Sequence, residues 1–167
     1  REPTHPLQRW VLEIVARVCG TERESVPTPR DGCGVPTFAV PLRGLAAGFA
    51  RLATGRELPE RLAGAARRIR EAMRSRPYMV AGTGRLDTDL MRKTDLVAKS
   101  GAEAVFAAGS PEGWGVAIKI SDGASRAVRP AVVAALGRLG VAVPGERGPS
   151  EVRNLHGEPV GRLIPLI

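Results

Sequence analysis

Apolar positions recur at helical spacing at the start of the chain. Leu7, Val11, Ile14, Val15 and Val18 share one face, behind Thr4, His5 and Pro6 and ahead of Gly20. A proline in the first turn and a glycine beyond the last predict a helix that opens at Pro6 and is closed by Gly20. Thr21 to Pro36 mixes Pro, Gly and charge without period, and reads as an irregular connection carrying Arg30-Asp31-Gly32-Cys33-Gly34. A second amphipathic helix is expected from about Leu42 to Thr54, ended by Gly55, and a third from about Pro59 to Ser75. The third stops before Pro77, because proline disfavours helical backbone in the residue ahead of it.

From Tyr78 the texture changes. Met79 to Arg85 is glycine-rich and is expected to be a loop, after which Asp87 or Thr88 can cap a short helix containing Leu90 and Met91. Two strand-like runs follow, Val97 to Ala108 and Trp114 to Ile120, joined by Gly109-Ser110-Pro111-Glu112-Gly113 in the manner of a hairpin. An Ala/Val-rich helix is expected from about Ser125 to Leu139, and Glu151 to Ile167 reads as a second hairpin turning at His156-Gly157-Glu158-Pro159. Helices first, then antiparallel strands with a helix laid over them, means α+β. Residues 1–167 are read as one unit, with a helical part over 1–76 and the sheet, C-terminal helix and tail over 77–167. A two-stranded hairpin with a polar tail strand cannot cover the helical faces and itself. The sheet is therefore expected to lack strands supplied from elsewhere.

Composition narrows the class. Of 167 residues 43% are apolar, which excludes disorder. No apolar stretch approaches the roughly 20 residues of a membrane helix. Arg1 to Pro6 has no signal-peptide layout, and the two cysteines, Cys19 and Cys33, are too few for a disulfide framework. They read as thiols of a reducing, cytoplasmic setting. The net charge of +8 comes largely from arginine, with abundant Ala, Gly and Pro, a combination that GC-rich coding produces whatever the function. The cluster Arg67-Arg68-Ile69-Arg70 with Arg74 and Arg76 lies on the third helix, interleaved with alanine and without an aromatic stacking platform. It is read as a solvated or acid-paired face, with no nucleic acid as partner.

Chemistry is sparse. Ser-x-x-Lys, Gly-x-Ser-x-Gly, His-Glu-x-x-His, P-loop and Cys-x-x-Cys motifs are all missing from the sequence. His5 is read as a helix-entry residue, and His156 as a solvated turn residue. Where arginine is the default cation, the three lysines stand out: Lys93, Lys99 and Lys119. A desolvated lysine can give up its proton and arginine cannot. Lys93 reads as exposed, and Lys119, between Ile118 and Ile120, as a snorkelling or ion-paired strand residue. Lys99 opens Lys99-Ser100-Gly101 at the head of a strand run. A Lys-Ser/Thr-Gly box before a hairpin and a C-terminal helix matches the third motif of the serine β-lactamase, penicillin-binding and glutaminase superfamily. There the ammonium tunes proton transfer at the nucleophile, the hydroxyl holds substrate, and glycine lets the strand edge approach it. Cys33, by spacing alone, reads as a small buried thiol in a tight turn; the alternative is a thiolate ligand, for which one cysteine is not enough. Cys19 reads as structural.

Three blocks occur together: Asp31-Gly32-Cys33-Gly34-Val35-Pro36-Thr37-Phe38 with Pro41-Leu42; Gly84-Arg85 with Asp87-Thr88 and Leu90-Met91; and Ala98-Lys99-Ser100-Gly101-Ala102-Glu103. Together with Gly115 to Gly123 they resemble, in order and spacing, the L-asparaginases of the rhizobial inducible type, over nearly the whole chain. The resemblance implies a β-lactamase-like α/β/α fold, hydrolysis of L-asparagine to aspartate and ammonia, a homodimer and a bound zinc. It implies that Lys99 is the family's second catalytic lysine and that Arg85, Ser100 and Gly101 face the substrate. It further implies that Cys33 is one zinc ligand and that Asp31 lies beside the metal and the substrate. The family's Ser-x-x-Lys nucleophile and its Cys-Ser-Gly-Lys-His metal segment are absent from this sequence. The chain therefore resembles the C-terminal half of such an enzyme, whose N-terminal half would supply nucleophile, oxyanion donors and remaining ligands. Ser100 and Ala104 stand where the family favours glycine. A glutaminase or penicillin-recognising hydrolase of the same superfamily is the nearest alternative, and a non-catalytic binding remnant the next.

Overall fold

The computed structural model describes residues 1–145 and 150–166. Helix α1 spans Pro6–Cys19. At its start the Nδ1 of His5 accepts the N–H of Leu7 at 3.2 Å, and at its end Gly20 takes the left-handed conformation a helix stop requires. Helix α2, Leu42–Thr54, packs on α1 through glycines. A Cβ on Gly44 would lie 3.0 Å from the Cys19 carbonyl oxygen, and one on Gly48 would lie 3.3 Å from Cys19 Sγ. Cys19 is thus buried in the helix seam, and that burial pushes its thiol above the ordinary value, partly offset by the nearby Arg51 guanidinium.

Helix α3 spans Glu60–Ser75. Several of its arginines are spent inside the chain. Arg67 pairs with Glu60 at 3.0 Å, Arg70 donates to the Ala53 carbonyl at 2.9 Å, and Arg74 donates to the carbonyls of Thr94 and Leu96 and to Asp95. The last two arginines tie α3 to α2 and to the segment entering the sheet.

The stretch after Pro77 departs from the expected loop. Pro77–Ala81 forms a short helix, α4, ended by Gly82 with φ of 92°. Helix α5, Leu86–Lys93, begins at Leu86, so Asp87 and Thr88 lie inside its first turn and cap nothing; Arg85 holds the capping position. Thr88, fully buried, donates its hydroxyl proton to the Gly82 carbonyl at 2.7 Å and fastens α4 to α5.

The run from Val97 to Ala108, expected as one strand, is two. Strand β1 is Val97–Ser100 and β2 is Val105–Gly109; with β3, Gly115–Lys119, they form a three-stranded antiparallel sheet in the order β1-β2-β3. The chain reverses over Gly101–Ala104, with Glu103 and Ala104 both at positive φ. Neither residue type advertises a turn, so the alanine-rich sequence hides it. Lys99 accordingly lies near the end of β1, where an opening position was expected.

Helices cover both faces of this sheet. On one, Ala107, Gly109, Gly115 and Ala117 are register neighbours, and the two glycines abut the α2 backbone. On the other, Ala98, Phe106 and Ala108 join Leu86, Leu90 and Met91 of α5 and Val132 and Leu136 of α6 in the main apolar core. Helix α6 is Val128–Arg138, preceded by a 3-10 turn at Ser125–Ala127. The tail forms the expected hairpin, β4 (Ser150–Arg153) with β5 (Pro159–Leu163), as a separate two-stranded sheet. Asn154 Oδ1 closes its turn by accepting the N–H groups of His156 and Glu158, each at 3.0 Å. The architecture is α+β. Among the described residues, no helix is long and apolar enough to cross a membrane.

Candidate active site

Strand β1 is an edge strand, and its backbone alternates between the partner strand and open space. The N–H of Ser100 points outward from that edge. It is taken by the carboxylate of Asp87, whose Oδ1 accepts it at 2.5 Å. The first turn of α5 therefore seals the edge at this point, in place of another strand. Lys99, half exposed, bends back so that its Nζ donates to the Ser100 carbonyl at 2.7 Å and lies 4.0 Å from Asp87 Oδ1.

Beside this edge opens a cleft of about 360 Å³, walled by the start of α5, the β1–β2 turn and the entry to α6. Arg85, Asp87, Ser100, Gly101, Glu103 and Arg129 are among its lining residues. Three residues singled out from the sequence, Arg85, Ser100 and Gly101, thus share one cleft, with Lys99 adjoining it through Ser100 and Asp87. Arg129 is held against α5 by an ion pair to Asp89 at 3.0 Å. The cleft lining thus brings together two basic residues, Arg85 and Arg129, two acids, Asp87 and Glu103, and Ser100, a composition that suits a small ligand carrying both charges.

Asp31 and Cys33 lie elsewhere, in the irregular connection between α1 and α2, and are not part of this cleft's lining. Asp31 Oδ1 accepts the N–H groups of Cys33 at 2.9 Å and Val35 at 3.0 Å, and Gly34 completes the turn at φ 73°. The turn leaves Cys33 exposed, which corrects the expectation of a buried thiol. Asp31 spends one carboxylate oxygen on the two backbone donors of this turn. Among the described residues no group of three or more His, Cys, Asp or Glu side chains could hold a metal ion. Cys33 is chemically fit to be one ligand of a site completed by other donors.

The sequence did not single out Asp87, Glu103 or Arg129 for this cleft. Asp87 was masked by its resemblance to a capping residue, Glu103 by a turn that its sequence conceals, and Arg129 by the number of arginines around it. The signal for Asp87 was an acid flanked by Leu86 and Leu90, positions that face the core.

The sequence profile of the L-asparaginase II family matches residues 1–165. The chain belongs to the L-asparaginase II family. No curated protein matches it. As an L-asparaginase II chain it is of the asparaginase hydrolase type, with asparagine as the substrate that the family implies. Asparagine presents an ammonium and a carboxylate at one end and an amide at the other, a pattern that the charges lining the β1 cleft can meet.

Proposed function

We propose that this asparaginase chain hydrolyses L-asparagine to aspartate and ammonia by serine/lysine acyl-enzyme chemistry, with the nucleophilic serine supplied by residues outside the sequence described. The observation that carries this reading is that Arg85, Ser100 and Gly101 line one cleft at the edge of β1, with the Lys99 amine adjoining it at the Ser100 carbonyl. The serine oxygen adds to the side-chain amide carbon and yields its proton to the lysine of the Ser-x-x-Lys segment outside this sequence, while the Lys99 ammonium tunes that transfer by its charge. Breakdown of the tetrahedral adduct cleaves the carbon–nitrogen bond, the nitrogen leaves with a proton as ammonia, and the acyl group stays on serine. Water then adds to the ester carbon, gives up a proton, and releases aspartate with the serine restored. Arg85 binds the substrate carboxylate, and Ser100 and Gly101 align it along the strand edge.

Zinc fits this scheme through the exposed Cys33 thiol as one ligand, with a cysteine and a lysine from outside the chain and Asp31 beside it. Bound through thiolate and amine, it would have a structural role at that loop rather than activate water. The enzyme acts as a homodimer in the cytoplasm, on a β-lactamase-like fold completed by an N-terminal half.

A panel of asparagine, glutamine and a chromogenic β-lactam, offered to the full-length protein, tests the reading. Ammonia release from asparagine well above that from glutamine, with no β-lactam turnover, is the expected result. A preference for glutamine or the β-lactam would reassign the chemistry within the superfamily. No turnover of any of the three would make the chain a binding module.

A further inference from the structure

Asp87 carries no role in the mechanism above, yet it is the most deeply buried acid among the described residues, 1% exposed beside the apolar core. An ionised carboxylate is expensive to bury unless it is paired and hydrogen-bonded. Helix capping does not account for it. The capping position is Arg85, no side chain caps the helix, and the first turn already has a second acid, Asp89, with its own partner in Arg129. The partners Asp87 does have are the two residues of the strand edge: the Ser100 N–H at 2.5 Å and the Lys99 ammonium at 4.0 Å.

We propose that Asp87 is the positioning residue of this site, a buried carboxylate that fixes the Lys99 ammonium and the Ser100 backbone together at the edge of β1 that α5 seals. The proposal rests on the reading of Lys99 as catalytic. Lys99 is 47% exposed at its side chain, so a long flexible amine would otherwise sample many rotamers in water. One acceptor and one opposite charge bracket it here: the Ser100 carbonyl at 2.7 Å and the Asp87 carboxylate at 4.0 Å. The same oxygen also binds the Ser100 N–H, so one carboxylate joins the strand edge to the amine. An amine held this way presents its proton at a constant place relative to Ser100 and Gly101, and misplacing a reacting group by about 1 Å costs on the order of 100-fold in rate.

Asp87→Asn separates this role from a mere clamp. Asparagine keeps an acceptor for the Ser100 N–H and nearly the same volume, and removes only the charge that faces Lys99. In the full-length protein the expected result is a thermal midpoint close to that of the parent, a little-changed KM for asparagine, and a kcat lower by about 100-fold. Combined with Lys99→Ala, the same substitution should add almost nothing, because both act on one unit. Asp87→Glu, which restores the charge at a displaced position, should recover part of the loss. A kcat for Asp87→Asn within about twofold of the parent would overturn the proposal, as would a loss of activity that tracks a loss of folding. Full turnover by Lys99→Ala would instead remove the catalytic reading itself. An inactive Lys99→Ala beside an active Asp87→Asn would overturn the Asp87 proposal alone.

Discussion

Gly109 and Gly115 face each other across β2 and β3, and at both positions a Cβ would lie 2.0 Å from a carbonyl oxygen of α2, that of Phe49 and that of Ala46 respectively. Helix and sheet therefore touch backbone to backbone, and this contact sets how far the sheet stands from α2. Neither glycine needs a left-handed backbone. Their demand is for space alone. Gly→Ala at a compatible site commonly stabilises by about 0.4–1 kcal/mol. At Gly109 or Gly115 the sign should reverse, with a loss of at least the ~1–3 kcal/mol typical of an overfilled core. Thermal or urea denaturation of either variant reads the result directly; an unchanged midpoint would mean the close packing is not as described.

The two thiols should behave oppositely. Cys33 is exposed, whereas Cys19 sits in the α1–α2 seam with its thiol resisting ionisation because of burial. Thiol titration of the native protein should modify Cys33 promptly and Cys19 only on unfolding. If zinc engages Cys33, a chelator should accelerate its modification and leave Cys19 untouched. Equal rates for the two residues would contradict the packing of the seam.

Burial of Cys19 also gives a pH dependence with a definite sign. Its folded value lies above the ordinary 9.0, so the unfolded chain loses that proton first. The stability it contributes is complete below about pH 9 and is lost as pH climbs from there through the folded value. In Cys19→Ala this alkaline decline should flatten, as followed by denaturation midpoints across that range. A parallel decline in parent and variant would assign the effect to other groups.

Thr88 offers a smaller, local test. Its buried hydroxyl donates to Gly82 and joins α4 to α5, so Thr88→Val leaves that carbonyl without its donor. A destabilisation of about 1–3 kcal/mol is expected. Hydrogen exchange should show it concentrated over residues 77–93, and a uniform change across the chain would argue against a local clamp.

Much of the helical part was legible because proline and glycine punctuate it. Pro6 and Gly20 bound α1, Gly55 ends α2, and the third helix gives way just before Pro77. The missed features depend on contacts that local pattern does not encode. Helix α4 was hidden because Gly82 and Gly84 dominate its neighbourhood, although the helix itself lies ahead of them. The β1–β2 turn was hidden because Glu103 and Ala104 take positive φ without being turn formers. At the cleft, a three-residue box brought out Lys99, Ser100 and Gly101. Asp87 became visible only once α5 was laid against the strand edge, since its partners are 12 and 13 positions away and its acceptor role depends on β1 being an edge.

The proposed mechanism stands or falls on the part the Lys99 amine takes in amide hydrolysis. Ammonia release from asparagine by the full-length protein, compared with its Lys99→Ala variant at equal folded concentration, tests it most directly. Loss of a general acid–base group predicts a fall in kcat of about 10²- to 10⁴-fold. Turnover by Lys99→Ala at the parental rate would remove Lys99 from the reaction.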